Sequence, residues 1–309
     1  ERGLYGILIV EDQVEYAYSQ DVTWVIDDWL IQDDYQVYPS FVTMHDLAHD
    51  GRWGNVITVN GKLKENLVVA PGERIRLRLI NTSNGRVYRP DFGNLEAKVI
   101  AVDGMYVKEV FDASGFELAP GNRIDVDITI PKDATGFGYT VTDNYTGYLN
   151  VLASFEVSGE PTDINNFSYP TNSRIPDWDE VEKSMVDVEY KLDAKSSGGM
   201  MMGNLNWTIN NEIYPDVEPY ALSYNEFSVI KFKNMSPRLH PMHIHGMFFK
   251  VLYRDGKKVN EPYFRDTVLI NPEESVIVGM VPMDKGLWLN HCHIQEHAEA
   301  GMMTIIEVK

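Results

Sequence analysis

Two histidine clusters close to the C-terminal end constrain the fold of this chain more than any other feature. The first runs His240-Pro241-Met242-His243-Ile244-His245-Gly246, and the second runs His291-Cys292-His293-Ile294-Gln295-Glu296-His297 and on to Met302. Together they hold six of the eight histidines and the only cysteine. Thiolate, imidazole and thioether ligands favour copper over magnesium, calcium or manganese. Zinc fits less well, because structural zinc sites usually contain more thiolates.

The spacing within the second cluster predicts two separate metal sites. Successive side chains of a β-strand point to opposite faces, so His291 and His293 would project to one face and Cys292 to the other. One short strand would then carry ligands of two sites, joined through the backbone of a single cysteine. Such an arrangement is suited to moving electrons.

The first cluster follows the same rule. His243 and His245 would share one face of a strand. We expect His240 to reach a different site because the turn-prone Pro241 separates it from the pair. Both clusters therefore predict short strands and an all-β environment around the metal sites.

The rest of the chain also predicts short strands. Apolar and polar residues alternate at strand length in Arg74 to Ile80, Ile124 to Ile130, Phe227 to Lys233 and Ser275 to Val281. Turn residues separate these segments at Pro71-Gly72, Pro120-Gly121 and Asp255-Gly256. This pattern is typical of β-sandwiches, and 309 residues allow two of them at roughly 150 residues per domain.

Charge and hydropathy exclude two classes of partner. The chain has 46 acidic and 27 basic residues and a formal net charge of -19. This balance argues against nucleic acid, whose phosphates select Lys and Arg. We find no run of about 18 apolar residues, so we expect no membrane span. A single cysteine says nothing about the redox compartment.

Both clusters resemble the C-terminal copper signatures of the multicopper oxidases, the family of laccases, bacterial cuprous oxidases, ascorbate oxidase and ferroxidases. Residues 59–62, 71–81 and 119–126 are similar to the central domain of that family, and Asp266-Thr267-Val268 to a segment of its last domain. The resemblance implies cupredoxin-like Greek-key β-sandwich domains. We expect a central domain without copper ligands at 13–157, a connection at 158–181 and a copper-binding domain at 182–309.

The resemblance also implies a role for each ligand. A type 1 copper would be held by His240, Cys292 and His297, with Met302 as a weak axial ligand. A type 2 copper would take His243, and a type 3 pair would take His245, His291 and His293. Electrons would pass from the type 1 copper through Cys292 to His291 and His293.

Four further histidines of the family's trinuclear cluster have no counterpart here, because only His45 and His49 lie outside the two clusters. Residues 1–12 resemble the closing strand of the family's first domain. We therefore expect an N-terminal cupredoxin domain as a separate chain, nicked or cut from the same precursor. The alternative is a shortened, non-catalytic protein that keeps only the type 1 site.

The function implied by the resemblance is that of a laccase-like oxidase. It would take single electrons from phenolic or similar donors and reduce dioxygen to water, with four coppers in the complete enzyme. A cuprous or ferrous metallo-oxidase is the alternative. The resemblance further implies an extracytoplasmic location and entry of electrons at an exposed edge of His297 or His240.

Several other residues give weaker indications of a functional role. Asp266 and Glu296 are acidic residues near the ligands and are candidates for orienting imidazoles. Ala298 stands where several bacterial members carry a glutamate, which leaves Glu299 or an acid of another domain for proton delivery. The loop with Met200, Met201 and Met202 suggests either Cu(I) entry or gap filling. We leave His45 and His49 out of the predicted site, since most histidines with this spacing bind no metal.

Overall fold

The computed structural model describes residues 2–163, 167–171, 185–197 and 204–309. It divides into two compact units. Unit one comprises Glu1–Tyr38, Gly54–Leu118 and Asn122–Ser173, and unit two comprises Pro39–Trp53, Ala119–Gly121 and Arg174–Lys309. Two short segments that interrupt unit one in the sequence, 39–53 and 119–121, thus group with unit two.

The described residues of unit one form ten strands in two sheets. They are β1 (Gln20–Trp29), β2 (Val56–Val59), β3 (Glu65–Val69), β4 (Arg74–Asn81), β5 (Pro90–Asp91), β6 (Glu96–Val102), β7 (Met105–Asp112), β8 (Arg123–Thr129), β9 (Gly138–Asp143) and β10 (Asn150–Val157). The sheet orders are β2-β1-β4-β8-β6-β7 and β3-β10-β9-β5. The indole of Trp24 on β1 lies 5.4 Å from the ring of Phe155 on β10, so the two sheets share a core.

Apolar residues and arginines alternate along β4, and this alternation explains how the strand contributes to the core of unit one. Ile75, Leu77 and Leu79 are buried. The intervening arginines face the other way and pair with acids: the guanidinium of Arg74 forms two hydrogen bonds with the carboxylate of Asp127, at 2.7 and 2.6 Å. Cross-strand pairs of opposite charge on one face and apolar burial on the other both fix the register.

Unit two contains the remaining regular elements of the described residues. They are α1 (Met44–Ala48), β11 (Val188–Ser197), β12 (Asn204–Ile209), β13 (Tyr220–Leu222), β14 (Ser228–Asn234), β15 (His240–Ile244), β16 (Phe249–Arg254), β17 (Lys257–Lys258), β18 (Thr267–Ile270), β19 (Ser275–Met280), β20 (Gly286–Cys292), α2 (Gln295–Glu299) and β21 (Met303–Val308). The sheet orders are β12-β11-β14-β19-β16-β17 and β13-β21-β20-β15-β18.

The larger sheets of the two units have the same connectivity, in which the first strand of each unit pairs in parallel with a later one. Every segment that the alternation marked as a strand is a strand, and the all-β sandwich fold predicted from the sequence is confirmed. Within the described ranges, no helix has the length and apolar character needed to cross a bilayer. Met200, Met201 and Met202 lie outside the described residues.

Candidate metal centres

Two neighbouring strands of unit two carry four of the candidate ligands, and His245 and His293 directly follow these strands. β15 and β20 pair antiparallel, with Met242 opposite Cys292 and His243 opposite His291. Because partners in such a ladder share a face, Cys292 lies on one side of the sheet and His291 on the other. The predicted alternation is therefore realised by ordinary strand geometry.

Pro241 does not form the turn that we expected. It lies inside β15, which runs without interruption from His240 to Ile244. Its carbonyl accepts a hydrogen bond from the backbone N–H of His293 at 2.7 Å. His240 reaches a different site from His243 simply because the two residues are an odd number of positions apart on one strand.

The first group of ligands, which we call the buried set, consists of His240, Cys292 and His297. The Nδ1 atoms of the two histidines lie 3.1 Å apart. Each of them is 3.7 Å from Sγ of Cys292. All three residues have no exposed surface. Three donor atoms therefore face one point in the interior of unit two.

The opposite nitrogen of each imidazole in the buried set has a protein partner. Nε2 of His240 lies 2.9 Å from Oγ of Ser236, and Nε2 of His297 lies 2.7 Å from the carbonyl oxygen of His49. A carbonyl only accepts, so the proton of neutral His297 is on Nε2 and the lone pair is on Nδ1. These contacts fix the tautomers that a metal at this point requires.

Burial keeps the ligands of this set uncharged in the absence of metal. It lowers the pKa of His297 to about 3 and that of His240 well below its ordinary value. It also raises the pKa of the Cys292 thiol. A metal ion must therefore displace the thiol proton when it binds. Two imidazoles and one thiolate without a water ligand match the trigonal set of blue copper sites.

Met302 lies beside the buried set and is itself fully buried. Its carbonyl accepts a hydrogen bond from the N–H of Cys292 at 3.1 Å, and its own N–H donates to the carbonyl of His297 at 3.0 Å. The backbone thus ties this methionine to two of the three ligands. The position agrees with the axial role that the resemblance implies, and that role stays a prediction.

The second group of ligands, which we call the outer set, lies on the other face of β15 and β20. It consists of His243, His245, His291 and His293. The Nε2 atoms of His245 and His291 are 3.0 Å apart. One ring nitrogen from each of His243, His245 and His291 falls within 4.8 Å of the others. The ring of His293 lies 6.1 Å from those of His243 and His291.

Hydrogen bonds orient two imidazoles of the outer set. Nδ1 of His243 lies 3.0 Å from the carbonyl of Asp266 and 2.9 Å from Oγ1 of Thr267. The hydroxyl of Thr267 donates in turn to the Asp266 carboxylate at 2.8 Å. Nδ1 of His291 donates to the carbonyl of Cys292 at 2.8 Å. These partners hold Nδ1 of both rings and leave both Nε2 atoms facing the position that a metal would occupy.

The last imidazole of the outer set packs on a glycine. A β-carbon at Gly121 would lie 2.4 Å from Cδ2 and 2.5 Å from Nε2 of His293. Gly121 has φ of +83°, a left-handed conformation that side chains disfavour. Burial lowers the pKa of His293 to about 3. Only glycine therefore leaves room for this ring.

The structure brings together the candidate ligands that the sequence predicted, and their role as ligands stays a prediction. Most of the residues that contact them were not predicted. Asp266 was predicted and reaches His243, with its side-chain Oδ1 3.4 Å from Nδ1. Glu296 was predicted and is buried, and it accepts the N–H of Arg52. Thr267, Ser236 and Gly121 were missed. Gly121 lies in the predicted Pro120-Gly121 turn and Thr267 in the family-like segment Asp266-Thr267-Val268, but neither signal indicated a contact with a histidine.

One expectation about the buried set was wrong. We expected an exposed edge on His297 or His240, yet both rings are enclosed, because Ser236 and the peptide of His49 occupy their outer nitrogens.

His45 and His49, which we left out of the predicted site, stack on each other with ring centroids 4.2 Å apart. Neither side chain belongs to a three-residue ligand group among the described residues.

Comparison with known proteins was made by family, by sequence and by structure. Two family models, both described as multicopper oxidase, match residues 20–156 and 174–309. Multicopper oxidase mco of Staphylococcus haemolyticus is 29% identical over 99% of this chain and 64% of its own length. The iron transport multicopper oxidase fetC of Epichloe festucae is 22% identical over 99% of this chain and 58% of its own length.

Solved structures agree with these matches. The crystal structure of a multicopper oxidase from Pseudomonas parafulva superposes with a TM-score of 0.80 at 27% identity, covering 97% of this chain and 72% of that one. The chain therefore spans less than two thirds of the curated relatives named above and somewhat more of this structural relative.

Proposed function

The chain belongs to the multicopper oxidase family, whose cofactor is copper, and from this membership we propose that it is the electron-accepting and electron-relaying part of a laccase-like oxidase. Phenolic or similar donors would deliver single electrons to a type 1 copper in the buried set. Dioxygen would be reduced to water at a trinuclear cluster that includes the outer set. The observation that carries this proposal is the alternation along β20, which puts Cys292 in one set and His291 in the other.

Copper, when bound, supplies the one-electron redox chemistry and the reduction of dioxygen. The chain supplies the connection between the two sets. Cys292 is covalently joined to His291 and His293, and Nδ1 of His291 also donates a hydrogen bond to the Cys292 carbonyl at 2.8 Å. Two routes, one covalent and one through a hydrogen bond, thus connect the sulfur to the outer set.

The protein also keeps water away from the buried set. His240, Cys292, His297 and Met302 have no exposed surface. These four residues would hold the copper in the interior of unit two, away from bulk solvent. His245, by contrast, is exposed, which leaves the outer set accessible to dioxygen and to further ligands.

We propose that the remaining trinuclear ligands come from histidines outside these 309 residues, in an N-terminal cupredoxin domain that is present as a separate chain. The exposure of His245 supports this idea. So does the apolar stretch within residues 2–12, in which Leu4, Leu8 and Val10 are 95%, 88% and 81% exposed. Apolar surface of this kind marks a region that another protein surface covers.

Copper stoichiometry tests the assignment most directly. We expect about four coppers per copy of this chain in active material, and electron paramagnetic resonance should show type 1 and type 2 signals together. About one copper per chain with only a type 1 signal would instead favour the non-catalytic electron-transfer protein. Denaturing electrophoresis of active material should show a second band, and a single band of this size would contradict the separate N-terminal chain.

The second measurement compares possible reductants. Oxygen uptake should be followed with a phenolic donor, with Cu(I) and with Fe(II), each as kcat/KM on the same preparation. Preference for the phenol supports the laccase-like proposal. A preference of tenfold or more for either metal ion, about 1.4 kcal/mol in transition-state stabilisation, would favour a metallo-oxidase instead.

The location of the protein is also a proposal. We expect it outside the cytoplasm, where copper oxidases of this family work. Fractionation of the source cells, followed by detection of the chain, would test this, and recovery in the cytoplasmic fraction alone would contradict it.

A further inference from the structure

The segment 39–53, which we call the cap segment, covers the buried set although it lies far from the ligands in the sequence. It is inserted between β1 and β2 of unit one, yet it groups with unit two. Its central helix α1 begins with a capping box, in which Thr43 and Asp46 each accept the other's backbone N–H, at 3.2 and 2.9 Å. Such a box fixes the start of a helix, so the cap segment has a defined shape.

The central contact of the cap segment is made by backbone. The carbonyl of His49 accepts a hydrogen bond from Nε2 of His297 at 2.7 Å, across 248 positions of sequence. The ring of His297 is thereby held between this carbonyl and the point where Nδ1 meets Cys292 and His240. Rotation of the ring about its axis would break both contacts.

Two further hydrogen bonds tie the cap segment to the residues next to the ligands. Oδ1 of Asp50 accepts the N–H of Leu239, which precedes His240, at 3.1 Å. The N–H of Arg52 donates to the carboxylate of Glu296, which precedes His297, at 3.2 Å. The cap segment is therefore hydrogen-bonded to the backbone next to His240 and to the side chain next to His297.

Trp207 contacts both the cap segment and the imidazoles of the buried set. Its Nε1 donates to the carbonyl of Leu47 in the cap segment at 2.9 Å. Its indole lies 4.1 Å from the ring of His297 and 5.0 Å from that of His240, measured between centroids. One residue thus links the cap segment to both imidazoles of the buried set.

We propose that the cap segment, with Asp50 and Trp207 as positioning residues, holds His297 in its ligating orientation and lowers the reduction potential of the copper at the buried set. This inference rests on the proposed function for its redox part. An acceptor on Nε2 makes an imidazole more basic at Nδ1, and a more basic ligand favours Cu(II) over Cu(I). The peptide of His49 occupies the outer edge of the His297 ring. A reductant that approaches this edge would therefore contact the cap segment first.

The first test uses the copper-free chain with 15N-labelled histidine. We expect the Nε2 proton of His297 to be visible and slow to exchange with solvent. Asp50→Ala and Trp207→Phe should each speed this exchange about five- to tenfold, the change expected from weakening one hydrogen bond. Asp50→Asn keeps an oxygen acceptor and should restore protection. Met44→Ala, in the same segment but with an exposed side chain, should leave it unchanged.

The second test measures the reduction potential of the copper-loaded chain by spectroelectrochemical titration. Asp50→Ala and Trp207→Phe should raise the potential, whereas Asp50→Asn and Met44→Ala should match the parent. Unchanged exchange and unchanged potential in both Asp50→Ala and Trp207→Phe would overturn the proposal, as would an equal shift in Met44→Ala. A chain that binds no copper would refute the proposed function, while the exchange measurement would still decide whether the cap segment holds His297.

Discussion

The imidazole of His293 lies directly on Gly121, where a β-carbon would come within 2.5 Å of Nε2. Gly121→Ala should therefore displace this ring and reduce copper binding at the outer set, while the type 1 absorption of the buried set remains. Copper content and the type 2 paramagnetic resonance signal measure the effect. Gly136→Ala is the matched control: Gly136 has φ of +80° and no atom within 4 Å of a built β-carbon.

Both glycine variants carry the conformational cost of a left-handed residue, about 1–2 kcal/mol. Only Gly121→Ala adds a clash with a candidate ligand. Equal copper contents in the two variants would show that His293 either tolerates the displacement or is no ligand.

Cys292→Ser should abolish the intense visible band and the turnover together, because the thiolate is both the ligand that gives a blue copper site its colour and the start of the route to the outer set. The hydroxyl is close in size to the thiol, so the fold should persist, with an unchanged circular dichroism spectrum. A variant that keeps the visible band would remove Cys292 from the site.

Thr267→Val should weaken copper binding by the outer set about 10- to 100-fold, the usual cost of losing a partner that orients a ligating histidine. The hydroxyl of Thr267 connects His243 to the carboxylate of Asp266. Titration of the copper-free chain with copper, followed by type 2 resonance, measures the change. Thr304→Val is the control, because the buried hydroxyl of Thr304 has no hydrogen-bond partner among the described residues.

Acid should destabilise the copper-free chain. Burial lowers the pKa of His291 to about 4 and those of His293 and His297 to about 3, whereas all three titrate near ~6.5 when unfolded. A depressed pKa in the folded state contributes stability above the unfolded value that is lost as pH falls. From about pH 6 down to about pH 4, each group should cost roughly 1.4 kcal/mol per pH unit.

Urea unfolding at pH 7.0 and pH 5.5 measures this loss. His297→Gln should make the pH dependence shallower, because it removes one of the buried imidazoles. Copper-loaded protein should resist the acid better, since bound metal competes with protons for the same nitrogens. A copper-free chain with equal stability at both pH values would contradict the expectation.

The parts of the site that the sequence predicted are those that depend on local geometry. The period of a β-strand alone separates Cys292 from His291 and His293, so ligand spacing was sufficient. The same period explains why the turn expected at Pro241 was unnecessary. Alternation in Arg74 to Ile80 likewise predicted β4, because one face of that strand is apolar and the other is charged.

The parts that the sequence could not predict depend on contacts between distant segments. The partner of His297 is the backbone carbonyl of His49. Every residue has such a carbonyl, so nothing in the sequence marks this one as the partner of His297. Gly121 was recognised as a turn residue, but its contact with His293 arises only in the folded chain. The same limit applies to the enclosed edges of His240 and His297, whose partners come from a loop and from the cap segment.

The alternation along β20 has a consequence for how this protein can change. Insertion of one residue between His291 and Cys292 would turn the Cys292 side chain to the face of β20 that carries the outer set, so that the buried set would lose its sulfur. Substitutions can adjust the surroundings of either set separately, but the direct peptide link between His291 and Cys292 has a fixed length. Natural or engineered variants of this protein should therefore differ in the residues around the two sets and keep the cysteine directly after this histidine.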